Sequence, residues 1–280
     1  MSGESNRPLQ SRCSLAAELV RIAALGGLLL GMVACVPPDG LPAAPKTLTV
    51  FAAASLTDVM EAIGEAYEQA HPETDVVFNF AASSALRAQL GEGAAADVAA
   101  FAAERDMQLL AAASLADSDG VKVFAENEMV VVVHPESAGR IASLEDLTAP
   151  DVKLLMAAEG VPAGDYARQV LENLTATMGA GYRDTVLANV VSEEDNVRQV
   201  LAKVQLGEAD AGWVYRSDAQ SAPELGVLAI PDAANVRAKY PIAVLLTSPQ
   251  PEAAQEFVDL VLSPEGQRVL EKGGFLPVAP

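Results

Sequence analysis

The stretch Thr49-Val50-Phe51-Ala52-Ala53-Ala54-Ser55-Leu56-Thr57-Asp58-Val59-Met60 decides how this chain folds. Its first residues are apolar and partly β-branched, its middle is built of small residues, and its end opens a helical pattern. Val59, Ile63, Ala66, Tyr67 and Ala70 then fall on one helical face. A strand over residues 48–52 therefore runs through a tight junction into a helix. Ser55 and Asp58 have the spacing of a capping box, so one reading of Ser55 is a helix cap. The other is that its hydroxyl and the nearby free amides face a ligand, because a helix start exposes unpaired N–H groups and the positive end of the dipole.

Working outward, the same logic recurs at Asn79-Phe80-Ala81-Ala82-Ser83-Ser84-Ala85-Leu86, where a strand over 76–80 meets hydroxyls and then a helix. Further strands are expected at 98–102, 129–133, 154–157, 186–189, 212–215 and 241–246, with helices between them. The run Met129-Val130-Val131-Val132-Val133 is apolar without alternation, as a strand buried on both faces should be. Residues 251–272 read as helix, broken at Pro264. Strand–helix alternation of this kind implies an α/β fold with a parallel sheet. In such sheets ligands sit beyond the carboxyl ends of the strands.

Three more places could carry chemistry. Val161-Pro162-Ala163-Gly164-Asp165-Tyr166 reads as a helix start in which Gly164 would let backbone approach a ligand. Ser192-Glu193-Glu194-Asp195-Asn196-Val197 is another, and its run of polar side chains leaves the exact cap open. Trp213-Val214-Tyr215 ends a strand; Trp213 reads as core, and Tyr215 either as core or as a phenolic donor to a ligand.

The first residues differ from the rest. Arg7, Arg12 and Arg21 precede the apolar run of residues 22–33, and Glu18 interrupts the basic region. A basic segment, a short apolar segment and a small residue before a cut site make a secretory signal. The apolar run is short of the roughly 20 residues that span a membrane. Met32-Val33-Ala34-Cys35 looks like a bacterial lipobox, which would make Cys35 the lipidated first residue after cleavage of residues 1–34; plain signal cleavage is the alternative. Cys13 would leave with the signal, so the mature chain could form no internal disulfide. Residues 35–45 read as a proline-rich tether.

The chain of 280 residues carries a formal net charge of -20. Without residues 1–34 the balance is 15 basic against 36 acidic, or -21. That excludes nucleic acid as a partner and disfavours long-range steering of an anion. An anion site here must work through short-range hydrogen bonds. Catalysis has little support: His71 and His134 both precede proline and sit in no triad motif, and G-x-S-x-G does not occur. No Cys/His cluster suggests a metal. No cofactor is expected.

The five segments TVFAAASLTDVM, FAASSALRAQL, VPAGDYARQVL, EEDNVRQVLAKV and AGWVYRSDA, in that order, resemble those of the molybdate-binding proteins of ABC transporters. YPIAVL and the closing GGFLPV fit as well, so the likeness covers residues 47–276. The resemblance implies a type II periplasmic-binding-protein fold, with two α/β lobes around a cleft. Lobe one would be 46–126 with 238–280, and lobe two 127–237. It also implies the ligand contacts: the hydroxyls of Ser55 and Ser83, the backbone amides of Ala163 and Val197, and the phenol of Tyr215. Ser84 takes the place of Ser83 if the register shifts by one. The ligand would be molybdate or tungstate, delivered outside the cytoplasm to a membrane permease by a lipid-anchored monomer. Molybdate is fully deprotonated near neutral pH and only accepts hydrogen bonds, so a shell of neutral donors suits it. In the family, sulfate is rejected mainly as too small. Another oxyanion, such as sulfate or phosphate, or a small organic anion is the alternative cargo; phosphate carries a proton and would want an acceptor. The chain departs from the family's usual run at Ala96-Asp97-Val98-Ala99-Ala100-Phe101 and at Ala158-Glu159-Gly160.

Overall fold

Small residues at the ends of strands let several strand-to-helix junctions crowd together, and the computed structural model shows how. It describes residues 46–278. The signal segment, Cys13, Cys35 and the tether of the sequence reading lie outside the described residues.

In chain order the strands are β1 (Lys46–Ala53), β2 (Thr74–Ala81), β3 (Val98–Ala100), β4 (Lys122–Val133), β5 (Leu154–Ala157), β6 (Val190–Glu194), β7 (Ala211–Tyr215), β8 (Gly226–Ala229) and β9 (Arg237–Val244). The helices are α1 (Thr57–Ala70), α2 (Ser83–Gly91), α3 (Glu104–Ala112), α4 (Pro162–Met178), α5 (Tyr182–Ala188), α6 (Val197–Gln205), α7 (Arg216–Gln220), α8 (Pro251–Leu262) and α9 (Pro264–Lys272).

The strands run in the order β2-β1-β3-β9-β4-β7-β5-β6, with β8 also paired to β4. The sheet is mixed, not wholly parallel. β1 is parallel to β2 and β3, and β5 to β6 and β7, while β9 and β4 run antiparallel to their neighbours. The twelve-residue β4 belongs to two halves of the sheet: Lys122–Glu128 pairs with β9, and from Met129 onward the strand pairs with β7 and β8. Here "first half" denotes β2, β1, β3, β9 and the start of β4 with their helices. "Second half" denotes the end of β4, β8, β7, β5 and β6 with theirs.

Burial follows the sequence pattern. Residues 129–133 are all buried between β7 and β8, as their unbroken apolar run requires. All five residues of β7 are buried, Trp213 completely, so Trp213 is core. Burying a side chain of Leu, Ile or Phe size contributes roughly 1.5–3 kcal/mol. Phe51, Leu86, Phe101, Met107 and Leu110 form a separate cluster in the first half, so Phe101 in the altered 96–101 run fills core.

Three details differ from the sequence reading. Residues 186–189 are not a strand: Val186 lies inside α5, and the strand comes next, at β6. β9 begins earlier than 241, because Arg237 and Lys239 alternate outward while Ala238 and Tyr240 point inward. Gly164 serves packing: a Cβ there would stand 2.2 Å from the Ala157 carbonyl oxygen and 2.3 Å from that of Ala158. Only glycine lets the start of α4 close onto the end of β5.

Candidate functional site

The carboxyl ends of β1, β2, β5, β6 and β7 converge on one small cavity. It is lined by Ala53, Ala54, Ser55, Ala81, Ala82, Ser83 and Ala102 from the first half and by Val161, Pro162, Ala163, Asn196, Val197 and Tyr215 from the second. All five residues singled out from the sequence are brought together here, and Ser84 does not line the cavity. The cavity volume is about 20 Å³, enough for one small group and far below the roughly 300–1,000 Å³ of pockets for larger organic ligands. No charged side chain lines it.

Each donor is held by its local structure. Ser55 lies in a single 3-10 turn, Ala54–Leu56, that links β1 to α1. It makes no helix cap; the Thr57 hydroxyl donates to the Ala54 carbonyl instead. The Ser55 Oγ lies 2.9 Å from the Tyr240 Oη. Ser83 is the first residue of α2 and is buried. Its Oγ accepts the Ala102 N–H at 2.8 Å, which leaves its own hydrogen to point elsewhere.

Ala163 is the second residue of α4, after Pro162, and Val197 is the first of α6. Backbone N–H groups there have no intrahelical acceptor, and neither donates to any other described residue. Asn196 caps α6 by accepting the Gln199 N–H at 3.2 Å. Among the polar residues before α6, Asn196 is therefore the cap, while Ser192, Glu193 and Glu194 belong to β6.

Tyr215 is buried, and its Oη has no hydrogen-bond partner among the described residues. Burial, with Tyr240, Tyr166 and Asp218 nearby, pushes its phenol well above the ordinary tyrosine range. It therefore remains a donor at any physiological pH. A buried, unpartnered O–H on a cavity wall costs free energy unless a ligand accepts from it.

Charge sits just outside this uncharged shell. Arg198, next to Val197, places its Nε 2.9 Å from Asp218 Oδ1 and its Nη2 2.5 Å from Asp58 Oδ2. It thereby ties α6 of the second half to α1 of the first. Arg105 and Asp165 pair at 3.7 Å between α3 and α4. Asp218 is completely buried; its carboxyl also accepts the Tyr215 N–H at 3.1 Å. Burial raises it to about 7, against the lowering pull of Arg198 and that N–H.

Sequence reasoning missed Asn196 as a lining side chain, and it missed Asn127, Tyr240 and Asp218 behind the lining. Tyr240 lies in the YPIAVL segment, but its only local signal is a polar-tipped aromatic at an inward position of an alternating strand. His71 stacks on Tyr67 with ring centroids 4.3 Å apart, and His134 Nδ1 accepts the Glu136 N–H at 3.3 Å; both lie away from the cavity. Among the described residues there is no group of three or more His, Cys, Asp or Glu side chains placed to hold a metal ion.

Two α/β sheet halves, joined through β4 and meeting at the carboxyl ends of their strands, are the architecture of an extracellular solute-binding protein. The family of bacterial extracellular solute-binding proteins matches residues 48–276, and the chain belongs to it. Within the family it is similar to the molybdate-binding protein ModA of Mycobacterium tuberculosis H37Rv, with 39% identity over 255 residues, 89% of this chain and 94% of that one. A putative ABC transporter substrate-binding lipoprotein of Bacillus subtilis is 32% identical over 82% of this chain and 86% of its own length. Among solved structures, the periplasmic molybdate-binding protein of Azotobacter vinelandii shares the fold at a TM-score of 0.73 and 20% identity, over 83% of this chain and 99% of that one. These relatives are binding proteins, and the chain is a binding protein, not an enzyme.

Proposed function

We propose that this protein captures molybdate, and tungstate with it, outside the cytoplasm and hands the anion to the membrane permease of an ABC transporter. One observation carries the reading: Ser55, Ser83, Ala163, Val197 and Tyr215 line one small cavity without a charged side chain, and the buried Tyr215 hydroxyl there has no partner among the described residues. An anion that only accepts hydrogen bonds satisfies every one of these groups. Each such charge-assisted hydrogen bond is stronger than its neutral counterpart. Relatives across most of the chain bear the name of molybdate-binding proteins, which supports the choice of anion.

The donors are divided. Ser55 and Ser83 come from the first half; Ala163, Val197 and Tyr215 come from the second. An anion held by both stabilises the closed arrangement over an open one, and this difference is what a permease would sense. In this reading residues 46–126 with 238–280 move as one lobe and 127–237 as the other. The protein acts as a monomer, tethered through residues 35–45 to a lipid on Cys35; the lipoprotein name of the Bacillus relative supports the anchor.

Calorimetric titration of protein lacking residues 1–35 tests the proposal. The expected result is tight one-to-one binding of molybdate and tungstate without a response to sulfate or phosphate. Silence toward molybdate and tungstate overturns the ligand assignment. A sulfate or phosphate response in its place would keep the transport role and change the cargo.

A further inference from the structure

We infer that Tyr240 is a positioning residue for Ser55: together with Asn127 it sets the direction of a hydrogen-bond chain that leaves the Ser55 hydroxyl hydrogen free to point into the cavity. The inference rests on the anion-binding reading above and deepens it.

The direction follows from donor and acceptor bookkeeping. Asn127 is completely buried. Its Oδ1 accepts the Glu128 N–H at 3.0 Å, which fixes which end of the amide is which. Its Nδ2 can then only donate, and it does so to Ser217 Oγ at 2.8 Å and toward Tyr240 Oη at 3.5 Å. Tyr240 is also completely buried, and burial pushes its phenol far above the ordinary range, so it keeps its hydrogen. Ser55 Oγ, at 2.9 Å, is its other hydrogen-bond partner within 3.5 Å, and the Tyr215 phenol lies beside it. Since the amide nitrogen cannot accept, the phenolic hydrogen goes to Ser55. Ser55 must then donate elsewhere; it borders the anion cavity and, on another side, a second cavity lined by Asp58, Arg198 and Ser217, and its hydrogen is assigned to the first, where an acceptor-only anion would take it.

The chain reaches the site from behind. Tyr240 does not line the cavity, and Asn127 lies further back on β4. Phe124, Tyr215 and Phe275 pack edge-on against the Tyr240 ring, with centroids 6.4, 5.9 and 5.2 Å away, and lock its rotamer. Ser83 is set in the same sense by a different device, the Ala102 N–H. Both serines thus have an oxygen lone pair engaged from behind and a hydrogen turned toward the ligand. A hydroxyl aligned before binding spares the anion the cost of turning it.

The test is a double-mutant cycle on molybdate affinity by calorimetry, with purified wild type, Ser55→Ala, Tyr240→Phe and the double variant. Melting temperatures of the same four proteins without ligand serve as the control. Ser55→Ala should weaken binding by about tenfold or more, and Tyr240→Phe by about fivefold. The double variant should bind within about twofold of Ser55→Ala, because Tyr240 has no hydroxyl left to orient. If the two losses multiply, or if the coupling shows only in the melting temperatures, Tyr240 is a packing residue and the inference fails. If Tyr240→Phe does not fold, Asn127→Asp replaces it in the same cycle. Its carboxylate would draw the phenolic hydrogen away and should weaken binding only while Ser55 is present. A wild type silent toward molybdate overturns the ligand reading and this inference with it, whereas multiplying losses in a protein that binds overturn the inference alone.

Discussion

The two halves of the molecule furnish the cavity in different currencies. The first supplies side chains, the hydroxyls of Ser55 and Ser83, each fixed from behind by a second group. The second supplies backbone, the amides of Ala163 and Val197 at the starts of α4 and α6, with the single phenol of Tyr215. A side-chain donor is lost by changing the residue. A backbone donor survives almost any substitution, because it depends on where the helix begins. Mutational sensitivity should therefore divide along the sheet halves.

The largest effect should come from the one substitution that deletes a backbone donor. Val197→Pro removes an N–H at the first position of α6, where proline is tolerated, and Asn196 before it is already extended at φ −159°, ψ 167°. Molybdate affinity by calorimetry should fall about 100-fold while the circular-dichroism spectrum stays that of wild type. A smaller loss would mean that this amide does not face the anion.

Ser83→Ala should cost about 30-fold in affinity and also about 1–3 kcal/mol of stability, because it strands the buried Ala102 N–H. Tyr215→Phe should cost about tenfold in affinity with no loss of stability in the ligand-free protein, since its Oη has no partner to lose. Chemical denaturation run beside the titrations separates the two. Val197→Ala sharpens the comparison from the other side. It keeps the amide, so affinity should change by less than about threefold, although trimming a buried side chain costs roughly 1–2 kcal/mol of stability.

The smallest effect concerns Asp218 behind the second half. Its native carboxyl is raised to about 7, above the unfolded value near 3.8, so the native state takes up a proton first as pH falls. This group's contribution to stability therefore grows from pH 8 toward pH 5 and is lost as pH rises through about 7. Wild type should lose melting temperature relative to Asp218→Asn over that rise. A constant difference would show that Arg198 holds Asp218 ionised throughout.

The same division explains what the sequence made legible. Strand–helix alternation and the buried run 129–133 could be read from apolar pattern alone. β6 could not, because Ser192, Glu193 and Glu194 at the sheet edge are polar, and the apolar residues just before them belong partly to α5. β8, with its exposed Gly226 and Val227, left no pattern either. Within the site, hydroxyl-bearing junctions announced Ser55 and Ser83 by residue type. Ala163 and Val197 carry nothing in their side chains to mark them, and only the resemblance to a family points to them. Gly164 packs against the end of β5, a role its sequence does not reveal, because a glycine that admits a ligand and one that admits a strand end look alike in sequence. Asn127 and Tyr240 depend on pairings across 185 residues for Ser55 with Tyr240 and 90 for Asn127 with Ser217, which no local pattern shows, whereas Asp218 pairs locally with the Tyr215 N–H three residues before it.

Everything above turns on one anion held by neutral donors from both halves. The most direct measurement is a crystal structure with tungstate, located by its anomalous scattering. One peak is expected in the cavity, its oxygens within hydrogen-bonding distance of Ser55 Oγ, Ser83 Oγ, the Ala163 and Val197 amides and Tyr215 Oη, and no contact with Arg198. A peak held by one half alone, or by an arginine, would contradict it.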